Sequence, residues 1–283
     1  MALVMTFHRT FAPLALLLAA CSPRGLDVVG LAPGTLERDV VGYWPCDEGT
    51  GGMLLDHSGF GHDGSIIGAT WLPDSGHAGF GGALHFESGN SVVVGSFPDA
   101  SASWSISLWV RPSAWESPSP SSDNGSDTYV TLISTEIVRV GGWEMNVRLP
   151  QLERTWRYHF GYPNPGDAGA WNYQWADAVG FEFGIWTHLV AVVDSSAMKM
   201  SFYKDGGLSA EKTITTLILQ GSEALYLGTW SDGGRYLVGD LDDIVIYGRA
   251  LTPSEVGALY ANPPSRADRS KQDAAQSIPA TSG

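Results

Sequence analysis

The sequence predicts an all-β sandwich of two antiparallel sheets, closed by a short C-terminal helical turn. Short apolar runs recur along the chain, and clusters of glycine, asparagine, aspartate or proline separate many of them. Lys204-Asp205-Gly206-Gly207 is a hairpin signal of the Asp-Gly type. Near the end, Leu241 and Ile244 to Tyr247 form an apolar run rich in β-branched residues, which suits a strand covered on both faces. Thr252-Pro253-Ser254-Glu255 follows as a capping box with proline at the first helical position, and Asn262 with Pro263-Pro264 stops the helix.

Taken in order, the chain starts with His8 and Arg9, then an apolar run from Phe11 to Ala20. That run is too short to span a bilayer and has the size of a signal-peptide core, so 1–20 is expected to be a signal peptide and 21–36 a tether. One domain is expected over 37–262. Its strands are expected at 91–94, 105–110, 129–134, 143–149, 156–160, 188–193, 199–204 and 225–228, besides the closing strand. The stretch 113–126, SAWESPSPSSDNGS, reads as a polar loop inserted at a sheet edge. Residues 263–283 are polar, poor in large apolar side chains and expected to be disordered. No fixed-period repeat is present.

Several blocks carry a resemblance. The segment 239–259, GDLDDIVIYGRALTPSEVGAL, resembles the closing motif of the laminin-G-like, concanavalin A-like jelly-roll domains of secreted bacterial proteins. VGYWPCDEGTGG at 41–52 resembles their opening strand and its acidic turn. DHSGFGHDGSIIG at 56–68 and FGGALHF at 80–86 resemble their next turns and strands, and WSISLWVRP at 104–112 and GIWTHLVAVVD at 184–194 two central strands. The resemblance covers roughly 40–261 and implies the jelly roll. It does not imply one function, because this fold hosts lectins, enzymes and structural modules.

Leu18-Ala19-Ala20-Cys21 resembles the bacterial lipobox, which implies cleavage before Cys21 and its lipidation. Two or more acyl chains anchor stably, at about 0.8 kcal/mol per buried methylene. The expected location is therefore the bacterial envelope, lipid-anchored, with Ser22 resembling the pattern for sorting to an outer membrane or cell surface. The membrane is then a partner through the anchor only.

Composition narrows the partners. The formal net charge is −14, with only 16 Lys and Arg against 30 Asp and Glu. That balance excludes a nucleic-acid footprint, disfavours anionic polysaccharides in the absence of a local basic patch, and suits calcium and a solvated extracellular surface. With Cys21 lipidated, Cys46 is left alone, without a disulfide, and reads as a buried small hydrophobe.

No catalytic motif stands out, and the chain is expected not to be an enzyme. Glycoside hydrolysis needs paired carboxylates across a cleft. Glu144 and Glu153 have no pairing spacing and read as exposed strand carboxylates. Asp56-His57-Ser58 reads as a turn, since three consecutive residues do not converge as a triad. His57 and His62 read as loop-packing or surface histidines and His188 as structural. There is no Gly-x-Ser-x-Gly elbow, Walker loop or dinucleotide fingerprint.

Two constellations remain. The acids Asp47 and Glu48 open the domain, and Asp242 and Asp243 close it. The first and last strands of a jelly roll commonly lie side by side, so these four are the expected ligands of a structural calcium, Glu48 and Asp242 foremost. The aromatics Trp143, Trp156, Tyr158, Tyr162, Trp171, Tyr173 and Trp175 crowd one central region, with Trp156/Tyr158 and Trp171/Tyr173/Trp175 at strand period, and Trp143, Trp156, Tyr158, Trp171 and Trp175 are the expected stacking set. On an exposed face they would stack on sugar rings, with Arg148, Arg157, Asn146, Asn172 and Gln174 for polar contacts; turned inward they are core. The expected role is a non-catalytic, envelope-tethered module that recognises a glycan. A protein-binding or adhesive module is the alternative, and a polysaccharide hydrolase or lyase on the same fold a further one.

Overall fold

A computed structural model describes residues 35–77, 81–95, 97–98, 103–113, 128–136, 141–149, 154–163, 171–217 and 224–261. Cys21, the expected signal peptide and most of the tether, the loop from 114 on, Glu153 and the C-terminal tail lie outside them.

The described residues form two antiparallel sheets. In sheet A, the central strands are β7 (Trp104–Pro112), β12 (Thr187–Asp194) and β16 (Gly239–Tyr247). β13 (Lys199–Lys204) and β14 (Gly207–Thr213) extend it on one side. β5 (Ala83–Phe86), β4 (Thr70–Leu72) and β1 (Val40–Trp44) flank β16 on the other. Sheet B runs β11 (Trp171–Ala178), β10 (Thr155–Pro163), β9 (Gly142–Leu149), β8 (Thr128–Ser134), β15 (Ala224–Leu227), β6 (Ser91–Gly95), β3 (Gly64–Ile67) and β2 (Met53–Leu54). All the strands predicted from apolar patterning are present. β4 is too short and half-exposed to leave a signal in sequence.

Period-2 alternation builds the space between the sheets. From sheet B, Trp143, Met145, Val147, Trp156, Tyr158 and Phe160 point into one core with Trp104, Ile106, Leu108, Leu189, Ala191 and Phe202 from sheet A. The Trp104 indole Nε1–H donates to the Tyr158 hydroxyl at 2.7 Å, so the polar tips of two buried rings satisfy each other across the sandwich. Three of the aromatics considered for a sugar platform, Trp143, Trp156 and Tyr158, are therefore core; ligand contact through them is corrected to packing.

β16 is buried along its whole length, as its near-continuous apolar run predicts. Leu241, Ile244 and Ile246 face the inner core. Val245 and Tyr247 face a second cluster formed with Leu251, Val256, Ala258 and Leu259 of α1 (Pro253–Ala261) and the segment leading to it. The capping box forms: the Glu255 N–H donates to Thr252 Oγ1 (3.3 Å), and the Thr252 N–H donates to Glu255 Oε2 (2.7 Å). The Arg249 guanidinium lies 2.7 Å from Glu255 Oε1, which ties the turn before the helix to its first turn.

Candidate functional site

The first and last strands meet. β1 and β16 pair antiparallel, with Trp44 opposite Ile244, and this brings the opening and closing acids together around Cys46. Burial, then the charges of Asp242, Glu48, Asp243 and Asp47, push the Cys46 thiol well above its ordinary range, which makes it an inert, buried thiol.

A residue absent from the expected set joins the acids. His77 Nδ1 lies 2.9 Å from Asp242 Oδ2 and 3.5 Å from Asp243 Oδ2. Consecutive strand residues normally point to opposite faces, but a register shift against β7 after Asp242, with Asp243 at φ 44°, turns both carboxylates to the same imidazole. The His77 ring stacks on Trp109, with centroids 4.1 Å apart. Asp47 Oδ1 accepts from the Gly82 N–H at 2.5 Å and Glu48 Oε1 from the Leu55 N–H at 2.7 Å. Glu48 Oε2 is buried without a hydrogen-bond partner, and burial raises this carboxyl's pKa. The fit to calcium is thus divided. Glu48 offers an unsatisfied hard oxygen, whereas Asp242 and Asp243 already have an imidazole, which calcium does not favour as a ligand.

Other sequence readings resolve in this region. Asp56 organises the turn that contains it. It accepts from the Tyr43, Ser58 and His62 N–H groups and the Ser58 hydroxyl. Burial alone would raise its pKa, but these hydrogen bonds together hold it low. Asp56-His57-Ser58 is a turn, and the His62 ring packs on Phe97 at 5.2 Å. His188 is buried in sheet A with Nε2 2.9 Å from the Ser107 hydroxyl. Desolvation, with the charge of His77, lowers its pKa to about 3.

The second constellation lies on the outward face of sheet B. Residues between the inward aromatics must point there, and Glu144, Asn146, Arg157, His159 and Trp175 do. Over β8 and β9 this face is roofed by the segment 228–237. The Thr131 N–H donates to the Arg235 carbonyl (2.8 Å), and the Ser231 hydroxyl to the Glu136 carbonyl (2.5 Å). The Arg235 guanidinium stacks over Trp230, 4.1 Å from the ring centre.

Under the roof is a buried ionic network. His159 Nε2 lies 2.6 Å from Glu136 Oε2 and 3.6 Å from Glu144 Oε2, and Arg235 Nη1 lies 3.2 Å from Glu144 Oε2. The Thr131 hydroxyl donates to Glu144 Oε1. Two carboxyl groups, one guanidinium and one imidazole share the space, so each buried polar group has a partner of complementary kind. Glu144 is fully buried, which corrects its reading as an exposed strand carboxylate. Gly142, at φ 120°, lets the β9 backbone pass close to Glu136: a Cβ there would stand 2.6 Å from the Glu136 Cα.

Toward the sheet edge the roof ends. Tyr173 and Trp175 on β11 are 38% and 41% exposed. The Tyr173 hydroxyl donates to Glu136 Oε1 (3.4 Å), and its ring stands edge-on to His159, so the buried network orients an exposed ring. Trp175 has Arg157 and Lys212 over its ring, at 5.2 Å and 5.1 Å from the centre. A cavity of about 180 Å³ opens here between β11 and β14, lined by Tyr173, Gln174, Trp175, Lys212, Thr213 and, at its apolar floor, Met200 and Ile214. Gln174 holds the two sheets together at this edge through Thr215 N–H and Thr216 C=O. Of the five predicted platform residues, Trp175 is the one seen at the surface; Trp171 starts β11, with its side chain outside the described set.

Glu136, His159, Arg235, Lys212 and His77 were not anticipated. The alternation that marked Trp156 and Tyr158 also puts Arg157 and His159 on the opposite face, so His159 was within reach of the same pattern. Glu136, Arg235 and His77 lie outside the strands and join their partners only through loops.

A family model for the concanavalin A-like lectin/glucanases superfamily, Laminin_G_3, matches residues 86–257. Similar solved structures include the botulinum neurotoxin serotype D binding domain, at 13% identity and TM-score 0.57, covering 81% of this chain and 53% of that one. The serotype D/C VPI 5993 binding domain matches at 16% and 0.55, covering 80% and 53%. The binding domain of botulinum neurotoxin DC in complex with SialylT matches at 16% and 0.56, covering 80% and 51%. The chain spans about half the length of these proteins, and likeness at such identity shows the fold.

Proposed function

This chain belongs to the Laminin_G_3 family of the concanavalin A-like lectin/glucanases superfamily, and from that premise we propose that it is a non-catalytic module that binds carbohydrate. The observation that carries the reading is the exposed pair Tyr173 and Trp175 beside a cavity at the open edge of sheet B. An aromatic ring offers an apolar face to the C–H face of a sugar, and the network beneath Tyr173 holds its ring before a ligand arrives. That a protein of similar fold was solved with SialylT supports the same class of ligand. The buried carboxylates Glu136 and Glu144 are engaged with His159 and Arg235 beneath a roof, an arrangement that serves positioning better than hydrolysis. The site is smaller than the five-ring platform drawn from sequence, and it is centred on Trp175.

The proposal includes export and a lipid at Cys21, which would hold this face at the bacterial envelope. The mass of the mature N-terminal peptide tests it: an unmodified Cys21, or cleavage elsewhere, would sink the anchor. It also includes a structural calcium at the chain ends, supported by the buried, unsatisfied Glu48 Oε2 with Asp47, Asp242 and Asp243 nearby. Melting curves should rise over roughly 10⁻⁴ to 10⁻³ M calcium; identical curves with calcium and with chelator would remove the ion.

The binding reading is tested on a broad glycan and polysaccharide array. Selective binding that Trp175→Ala abolishes is the expected result. Turnover of any polysaccharide would replace this reading with an enzymatic one, and capture of a protein through Trp175 would replace it with an adhesive one.

A further inference from the structure

Building on the glycan-binding reading, we infer that the ligand of the Trp175 cavity is an anionic saccharide, whose acidic group is held by Lys212 while its ring stacks on Trp175. Net charge alone pointed the other way, because the chain carries −14 and few basic residues. What matters is the local balance. Around the exposed rings, Arg157 is already neutralised: its Nε and Nη2 donate to the two oxygens of Asp177 at 2.6 and 2.8 Å. The neighbouring Glu211 is taken by Lys199 at 2.7 Å. Lys212 is different. Its ammonium stands over the Trp175 ring, and among the described residues no carboxylate lies within ion-pair distance of it. An exposed strand thus presents this cation at the mouth of an aromatic-lined cavity.

That placement discriminates between ligands. A neutral sugar that stacks on Trp175 has to displace the ammonium from the ring and, beyond its own C–H contact with the ring, offers that ammonium no counter-charge. An acidic sugar displaces it too, but the flexible lysine stem lets the charge swing to the ligand's carboxylate or sulfate. The exchange replaces a cation–ring contact with a charge-assisted hydrogen bond. The volume, about 180 Å³, is below the roughly 300 Å³ at which drug-sized pockets begin, and suits a single ring. Thr213 and Tyr173 line the same cavity.

The test uses the full-length chain in titration calorimetry against three probes: oligogalacturonate (carboxylated), dextran sulfate (sulfated) and dextran (neutral). Binding to an acidic probe, about tenfold weaker in Lys212→Gln, restored in Lys212→Arg and weakened by added salt, is expected. The carboxylated and sulfated arms show which acid the cavity takes. Lys212 is exposed on an edge strand, so the variants keep the fold, which circular dichroism checks. Equal binding of dextran and the acidic probes, unchanged in Lys212→Gln, would overturn the anionic ligand and leave glycan binding standing. Failure of all three probes, together with a blank glycan array, would overturn both.

Discussion

The two outer faces of this sandwich are built from the same alternation and closed in opposite ways. On sheet A, Val190, Val192, Tyr203, Val245 and Tyr247 make an apolar face, and α1 seals it with Val256, Ala258 and Leu259. On sheet B, the equivalent positions are Glu144, Asn146, Arg157 and His159, and a loop seals only part of them. The apolar seal needs no specific partner, because hydrophobic contact is non-directional. The polar seal requires every charge to be matched, and wherever it stops it leaves oriented groups at the surface. One face stabilises the fold, and the other stabilises it and ends in a site. Helix-covered strands read as structure, and a charged strand face under a loop marks where recognition can be placed.

That contrast can be broken, most forcefully at the buried network. Glu144→Ala removes the buried carboxylate that Arg235 Nη1 and the Thr131 hydroxyl meet, so denaturant unfolding should show a loss of about 3–5 kcal/mol. Restoration of stability on adding Arg235→Leu would show that the lost Arg235–Glu144 ion pair caused the loss; a loss under 1 kcal/mol (on the order of an exposed pair) would mean the network is solvated.

The sealed face of sheet A should respond to acid through His188. In the folded state its pKa is about 3, against an ordinary 6.5, because it is buried near His77. Below that ordinary value the unfolded chain takes a proton that the folded chain refuses. The contribution is therefore complete above pH 6.5 and is lost as the pH falls toward 3, at about 1.4 kcal/mol per pH unit at most. Unfolding midpoints at pH 7 and pH 5 should differ in the native chain and converge in His188→Gln. Parallel shifts in both proteins would assign the acid sensitivity to other groups.

Thr252→Ala should cost about 1 kcal/mol by removing the cap of α1, without touching sheet B or its binding. Smallest in stability, and sharpest for the contrast, is the exposed member of a pair of tryptophans. Trp175→Ala should leave stability within about 0.5 kcal/mol, as for an ordinary surface change, while it abolishes saccharide binding. Its buried counterpart, Trp156→Ala, should cost about 3–5 kcal/mol as a core truncation. If the folded fraction of Trp156→Ala lost binding as Trp175→Ala does, the division between core and site would be wrong.

Much of the frame was legible before the structure. The Asp205-Gly206 hairpin, the buried strand at 239–247 and the Thr252 capping box rest on neighbours in sequence, and local physics decides them. The meeting of Asp47 and Glu48 with Asp242 and Asp243 followed from a topology in which the chain ends pair. The site was less legible. Trp143, Trp156, Tyr158 and Trp175 share the same residue types and the same period; which parity faces inward is a property of the sheet against which they pack. Alternation made two faces but could not say which was wet. Lys212 comes from the other sheet, and its contact with Trp175 exists only where β11 and β14 close the sandwich edge.

The sequence by itself determined the all-β class, the order of its strands and the closing helix, because periodicity, turn chemistry and capping act over a few residues; the pairing of the first and last strands was legible only through the resemblance to jelly-roll domains. Tertiary structure alone decided that three of the five aromatics are core, that Glu136, Glu144, His159 and Arg235 meet under a loop, that His77 joins the closing acids, and that Lys212 stands over an exposed tryptophan with no carboxylate within ion-pair distance among the described residues. Those outcomes depend on burial and on charges brought together from distant segments, and both are set by how the two sheets and their loops pack.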